Sequence, residues 1–168
     1  RILRHVEGSS HAGRATADLV SRPFIDLDDR TQAVCGTDAK TCFEERGEIA
    51  WREAESSALR RAIDEPHPSI IALGGGTPTA PNAEAMLQEA RRKGLGRIVW
   101  LKDTPANLAS RIVDDQRRPA LSGLEPTEEM QLMLERRGPI FSGLADAEID
   151  IDNRPLSAVV AELVSFTP

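Results

Sequence analysis

Five groups of residues in this chain have types and spacing that could do chemistry. Asp26 and Asp28 stand two apart in the run Phe24-Ile25-Asp26-Leu27-Asp28. On a continuing strand they would face one side, near enough to hold a metal and a hydroxyl between them. Arg52 and Glu55 are i,i+3 neighbours on a helical stretch, so the glutamate can orient the guanidinium. Gly74, Gly75 and Gly76 follow the apolar run Ile70-Ile71-Ala72-Leu73. Bare backbone after a strand buried on both faces lets a ligand approach the main chain closely. Arg118, beside Arg117 and Pro119, lies in an irregular segment, and Arg137 ends a later helix. Arginines opposed to carboxylates beside bare backbone suit a small hydroxylated acid and the transfer of phosphate to it.

Taken singly, each group has a plainer reading. An Asp-x-Asp is more often a loop cap than a metal site. Arg52 and Arg137 alone are ordinary solvated helix charges, and Arg117-Arg118 an exposed basic pair. Gly-Gly-Gly alone is as well read as a turn. Their joint occurrence carries the chemistry. His5, His11 and His67 have no acidic or serine partner at a recognisable spacing, so they receive no catalytic role.

The elements that must position these residues follow from hydrophobic pattern and breakers. Residues 1–6 read as a weak first strand, 8–13 as a loop and 14–20 as a helix. Residues 23–28 read as a strand ending in acids. A short helix at 31–35 is stopped by Gly36, and a second at 38–45 by Gly47. A longer helix at 48–63 ends before Pro66 and Pro68, and the Ile70 strand begins. Pro81 opens a helix to about Lys93, closed by Gly94. Residues 97–101 form a strand, and Thr104-Pro105 cap and open a helix to about Val113. Residues 114–126 are irregular. Thr127 is expected to cap a helix through Arg137, with Glu128 and Glu129 in its first turn. A strand at 148–152 and a helix at 156–166 close the chain. Alternation of strand and helix means a parallel α/β sheet with helices on both faces, and ligands gather at the carboxyl edge of such sheets.

Bulk properties set limits. The 168 residues fit one domain with one real core. A net charge of −6 argues against a general nucleic-acid binder. Only Lys40, Lys93 and Lys102 are lysines; the other basic residues are arginines. No apolar run is long enough to span a membrane. No secretory leader is recognisable, which points to the cytoplasm. Cys35 and Cys42 lack CxxC spacing, so they read as two buried free thiols rather than a zinc site. The chain begins at Arg1 rather than Met, which reads as a trimmed or processed start.

Together the pieces Gly13-Arg14, Phe24-Ile25-Asp26-Leu27-Asp28, Gly47-Glu48 with Trp51-Arg52 and Glu55, Leu73-Gly74-Gly75-Gly76, Arg118-Pro119-Ala120-Leu121, Arg137-Gly138-Pro139-Ile140-Phe141 and Asp152-Asn153-Arg154-Pro155 resemble shikimate kinase. They come in that family's order at near family spacing. The resemblance implies a three-layer α/β/α fold with a five-stranded parallel sheet, P-loop kinase-like. It implies one domain over 1–168, with acceptor-binding helices at about 29–63 and a lid at about 114–126. It also implies roles. Asp28 would hydrogen-bond ring hydroxyls of shikimate and accept the proton of the attacking one. Arg52 and Arg137 would grip the carboxylate. Gly74, Gly75 and Gly76 would offer backbone to the acceptor. Asp26, with Ser10, would bind Mg2+, and Gly8, Ser9 and Ser10 would meet the phosphates of ATP. Arg118 would steady the transferring phosphoryl group, and Arg111 and Arg154 would lie near the adenine. A partner set of shikimate and ATP, without nucleic acid or membrane, goes with a monomer.

One region departs from the family. Its phosphate loop, GxxxxGK[ST], falls without gaps on Leu3-Arg4-His5-Val6-Glu7-Gly8-Ser9-Ser10. Only Gly8 and Ser10 match. No lysine occurs before Lys40, and Glu7 adds negative charge where triphosphate should lie. Three readings follow: an ATP-dependent shikimate kinase with an unusual phosphate loop, a non-catalytic relative that binds a small hydroxy acid as sensor or regulator, or a first dozen residues that depart from the native N-terminus.

Overall fold

The computed structural model describes residues 2–5, 9–112 and 125–167; for 2–5, Ser9 and Ile112 only the backbone is considered. Strand β1 (Ile2–His5) leads to helix α1 (Ser9–Leu19). Strand β2 (Phe24–Asp26) passes directly into α2 (Leu27–Cys35). Helix α3 (Ala39–Asp64) then precedes β3 (Ile70–Leu73), and a single 3₁₀ turn at Thr77–Thr79 leads to α4 (Ala83–Arg92). Strand β4 (Arg97–Lys102), helices α5 (Pro105–Ile112) and α6 (Pro126–Leu144), strand β5 (Ala147–Asp150) and helix α7 (Leu156–Val164) complete it.

All described strand pairs are parallel, in the order β2–β3–β1–β4–β5. β3 is buried at every position, as a strand covered on both faces must be. Ile70 packs into one core with Val99, Leu101, Leu108, Phe141 and Val160. Its neighbour Ile71 points to the other face, into a core with Leu27, Leu59, Leu87 and Ile98. β1 has β3 on one side and β4 on the other, and the chain leaves the two sides in opposite directions. A crevice opens at the carboxyl end of such a switch strand. α1 starts there, with its amino end and partial positive charge facing the crevice.

Several boundaries differ from the sequence reading. Residues 9–13 are helical, not loop: α1 opens at Ser9. Gly13 sits where α1 crosses β2. A Cβ there would lie 2.6 Å from the Phe24 ring edge, and the Arg14 guanidinium covers that ring at 4.7 Å. The strand expected at 23–28 stops at Asp26, because that side chain caps α2. Thr127 is not a cap: α6 starts at Pro126 after Glu125 and runs on through Gly138 and Pro139 to Leu144. A proline ring is expected to break a helix interior; burial of Phe141 and Leu144 on the sheet keeps this last part helical. Gly36 ends α2 at φ 82°, and Gly47 breaks α3 at φ 81° and ψ 166°. Both are conformations that a side chain resists.

Candidate active site

The carboxyl ends of β2 and β3 and the start of α1 build the site. Asp26 is the last residue of β2 and the N-cap of α2. Its Oδ1 accepts the Asp28 backbone N–H at 3.1 Å. Its Oδ2 accepts the Ser10 hydroxyl at 2.6 Å. Both the cap reading and the cation reading of Asp26 thus have a physical basis in one carboxylate. Two hard oxygens from different elements meet beside the opening of α1. That donor set fits magnesium, which uses one or two protein oxygens and keeps its waters and phosphate oxygens. Among the described residues no cluster of three or more His, Cys, Asp or Glu could hold a metal by itself.

Asp28 is not a strand neighbour of Asp26. It lies in the first turn of α2, exposed, with its carboxylate directed at β3. A Cβ on Gly74 would overlap that carboxylate, with Cγ at 3.2 Å. The first glycine is therefore what allows Asp28 to reach the sheet edge.

Arg52 lies one turn beyond the Gly47 break. Its Nη1 donates to Glu55 Oε2 at 2.6 Å. Nε and Nη2 both donate to Glu48 Oε1, at 3.0 and 2.9 Å. The Arg52 side chain is 14% exposed and that of Glu55 only 2%. Glu55 Oε1 accepts Thr77 Oγ1–H at 3.2 Å, which ties the helix to the turn after β3. Burial opposes the charge on Arg52, but Glu55 and then Glu48 more than offset it, so the guanidinium is held above its ordinary range. Phe43 stands 5.9 Å from it. A Cβ on Gly76 would overlap the guanidinium, 2.6 Å from Cζ. Arg137 comes from the far side: its Nη1 donates to the Gly75 carbonyl at 2.9 Å.

The structure thus brings Asp28, Arg52 and Arg137 to three consecutive glycines, from α2, α3 and α6. Arg111, in α5, and Arg154, in the turn before α7, lie beyond the ends of β4 and β5. Arg111 pairs with Asp103, whose side chain is fully buried. Asn107 Nδ2 donates to Asp103 at 2.7 Å and to Asp152 at 3.0 Å. Arg154 donates to Glu162 at 2.8 Å and to the Asp150 carbonyl at 3.1 Å. Gly8 and Arg118, and the lid segment apart from its last two residues, lie outside the described residues. Ser9 opens α1. The gapless count puts the first glycine of the phosphate-loop pattern on Leu3, which is inside β1 and paired with Ile71 and Ile98.

Sequence reasoning assigned no part to Glu48 or Thr77. Glu48 had a signal, its i,i+4 spacing from Arg52. Thr77 had none, since only the β3 crossover brings it to Glu55. The Asp103–Asn107–Asp152 group was likewise not legible as a unit, because Asp103 follows β4, Asn107 lies in α5 and Asp152 follows β5, 45 positions from Asn107.

Comparisons with known proteins agree with this geometry. The family model for shikimate kinase matches residues 7–168. A shikimate kinase of Rhodopirellula baltica is 30% identical, over 96% of this chain and 85% of its own length. One from Symbiobacterium thermophilum is 31% identical, over 94% and 88%. The crystal structure of shikimate kinase from Bacteroides thetaiotaomicron superposes with a TM-score of 0.78 at 28% identity, covering 98% of this chain and 95% of that one. The enzyme from Acinetobacter baumannii in complex with shikimate shares the fold, with a TM-score of 0.83 at 23% identity over 98% and 89%. On the family match across nearly its whole length and on these relatives, the chain belongs to the shikimate kinase family.

Proposed function

We propose that this chain transfers the terminal phosphoryl group of ATP to a hydroxyl of shikimate, a step in aromatic amino-acid (chorismate) biosynthesis. One observation carries the residue assignment: an acid, Asp28, and two arginines, Arg52 and Arg137, meet the same bare backbone at Gly74, Gly75 and Gly76. The arginines take the acceptor carboxylate, and the buried Glu55 keeps Arg52 in place for it. Asp28 hydrogen-bonds the ring hydroxyls and accepts the proton from the attacking oxygen. Phosphoryl transfer asks little covalent help of a protein; it needs in-line positioning and neutralised charge. On the donor side, Gly8, Ser9 and Ser10 meet the phosphates, with Ser10 and Asp26 holding Mg2+, which neutralises phosphate charge when bound. Arg118 steadies the moving phosphoryl group, and Arg111 and Arg154 flank the adenine.

In this reading the layers form a three-layer α/β/α P-loop kinase domain spanning 1–168. Residues 29–63 are its acceptor-binding insertion and 114–126 its lid, which excludes water as a competing acceptor. We place it in the cytoplasm as a monomer with no nucleic-acid partner. Among the described residues no helix is long and apolar enough to cross a membrane.

ADP release with shikimate and magnesium tests the activity. Turnover that requires shikimate supports it. No turnover, together with shikimate binding in calorimetry, would overturn it in favour of a binding protein. Arg52→Ala must weaken shikimate binding in either case; unchanged binding would refute the carboxylate assignment.

A further inference from the structure

The two cysteines lie where the end of α2 meets the start of α3, and neither has a part in the proposed transfer. They are not two buried bystanders. Cys42 is buried, but Cys35 is partly exposed. Their sulfurs stand 2.9 Å apart, with Cys35 donating to Cys42. The geometry is held from both sides. Gly36 turns the chain through its left-handed conformation directly after Cys35. Asp38 caps α3 by accepting the Thr41 backbone N–H at 3.0 Å, which sets the turn that carries Cys42. Arg46 Nη2 bonds the Cys35 carbonyl at 2.8 Å and the Cys35 sulfur at 3.2 Å. Arg46 thus sets a cation against the sulfur on which charge develops as a cysteine reacts. Burial, then the contact with the Cys35 sulfur, pushes the Cys42 thiol up to about 11, so Cys42 keeps its proton at neutral pH. One sulfur is reachable and backed by a guanidinium; the other is protonated, shielded and in contact with it.

We infer that Cys35 and Cys42 form a redox site in which Cys35 reacts with a peroxide and Cys42 resolves it to a reversible intramolecular disulfide. In the first step the Cys35 sulfur attacks one peroxide oxygen and the O–O bond breaks. The departing hydroxide takes the Cys35 proton as water, and two electrons pass from sulfur to the peroxide, leaving a sulfenic acid. The Cys42 sulfur then attacks the Cys35 sulfur. The S–S bond forms, the S–O bond breaks, and the leaving hydroxide takes the Cys42 proton as a second water. A bond of about 2.05 Å replaces the present contact, so only a small approach of the sulfurs is needed. A dithiol returns the pair to its reduced form by thiol exchange. Transient disulfides of this kind are the usual sort in reducing compartments.

Hydrogen peroxide, intact-protein mass and peptide mapping test this on the full chain. The unmodified sequence should lose the mass of two hydrogens, regain it with dithiothreitol, remain monomeric on a non-reducing gel, and yield a peptide linking Cys35 to Cys42. Cys42→Ser should gain one oxygen at Cys35, trapped by dimedone. Cys35→Ser should stay reduced at the same dose. Arg46→Ala should slow alkylation of Cys35 about fivefold or more near neutral pH. Retention of both thiols by the unmodified protein would overturn the inference, and that measurement needs no variant to fold. Oxidation of Cys35→Ser as fast as Cys42→Ser would overturn the order of attack.

Discussion

Glu55→Gln separates a designed anchor from an incidental contact. The substitution keeps side-chain volume and an oxygen for the Thr77 hydroxyl, and replaces the charged oxygen that accepts from Arg52 with an uncharged NH2. Glu55 is 2% exposed and its partner Arg52 14%, so both charges are largely out of water. The remaining partner, Glu48, is 54% exposed, and a pair of that kind is worth at most about 1 kcal/mol. Two unit charges about 4 Å apart attract by about 4 kcal/mol at an effective dielectric near 20. Breaking a buried pair by removing one partner costs about 3–5 kcal/mol. Arg52 can recover some hydration through its exposed edge, so we expect somewhat less than that range, about 2–3 kcal/mol. With a urea slope of about 2 kcal/mol per molar, the midpoint should fall by about 1–1.5 M. Combined with Arg52→Ala, the cycle should return a coupling above about 1.5 kcal/mol. The KM for shikimate should rise severalfold at the same time, because the guanidinium is no longer held opposite Gly76. A loss below about 1 kcal/mol with additive variants would refute the reasoning. The pair would then behave as a surface contact, and Glu55 would not position Arg52.

Gly76→Ala should raise the KM for shikimate about 10-fold or more while the protein still folds, since its Cβ would push the Arg52 guanidinium off Glu55 and a charged hydrogen bond is worth about 1.5–3 kcal/mol; steady-state kinetics and circular dichroism check both halves. Asp26→Asn should raise the half-saturating magnesium about 10-fold with little change in melting temperature, because asparagine caps a helix as well as aspartate does; an unchanged magnesium requirement would remove Asp26 from the metal site. Ser9→Lys, at the lysine position of the gapless count, should raise kcat by about 10²-fold or more, since a single lost donor to developing charge costs about 2.7–4 kcal/mol; no gain in ADP release would show that Ser9 does not hold the lysine position of a phosphate loop. The Cys42 thiol titrates from 9.0 when unfolded to about 11 when folded. Its contribution to stability is therefore complete below pH 9 and lost as the pH rises through 11. The urea midpoint of the unmodified protein should fall more steeply over that window than that of Cys42→Ala, and equal slopes would contradict the burial of this thiol.

Local chemistry was legible where one short segment decides it. The unbroken run Ile70-Ile71-Ala72-Leu73 requires a doubly covered strand and is buried at all four positions. Gly36 and Gly47 stop helices at the positions read from sequence, because left-handed backbone excludes most other residues. The Arg52–Glu55 pair follows from helical spacing alone. Boundaries failed where two local rules compete. Asp26 is both the last residue of a strand and a cap, and the cap won, which moved Asp28 from a strand face to a helical turn. At Gly138-Pro139 two helix breakers in a row lost to the burial of Phe141 and Leu144, which lie beyond them.

What the sequence determined by itself was the set of reacting groups and the α/β alternation that carries them, since both depend on residue type and on periods of two or about four residues. It also determined that the phosphate-loop lysine is missing, which no folding can restore. Only the tertiary structure decided which groups meet. Ser10 finds Asp26 across 16 residues, Thr77 finds Glu55 across 22, and Arg137 finds Gly75 across 62. Those distances are closed by parallel strand crossovers, whose register is set by burial on both faces of the sheet. The same holds for the contact of Cys35 with Cys42, which depends on one left-handed turn between two helices and not on the seven-residue spacing itself.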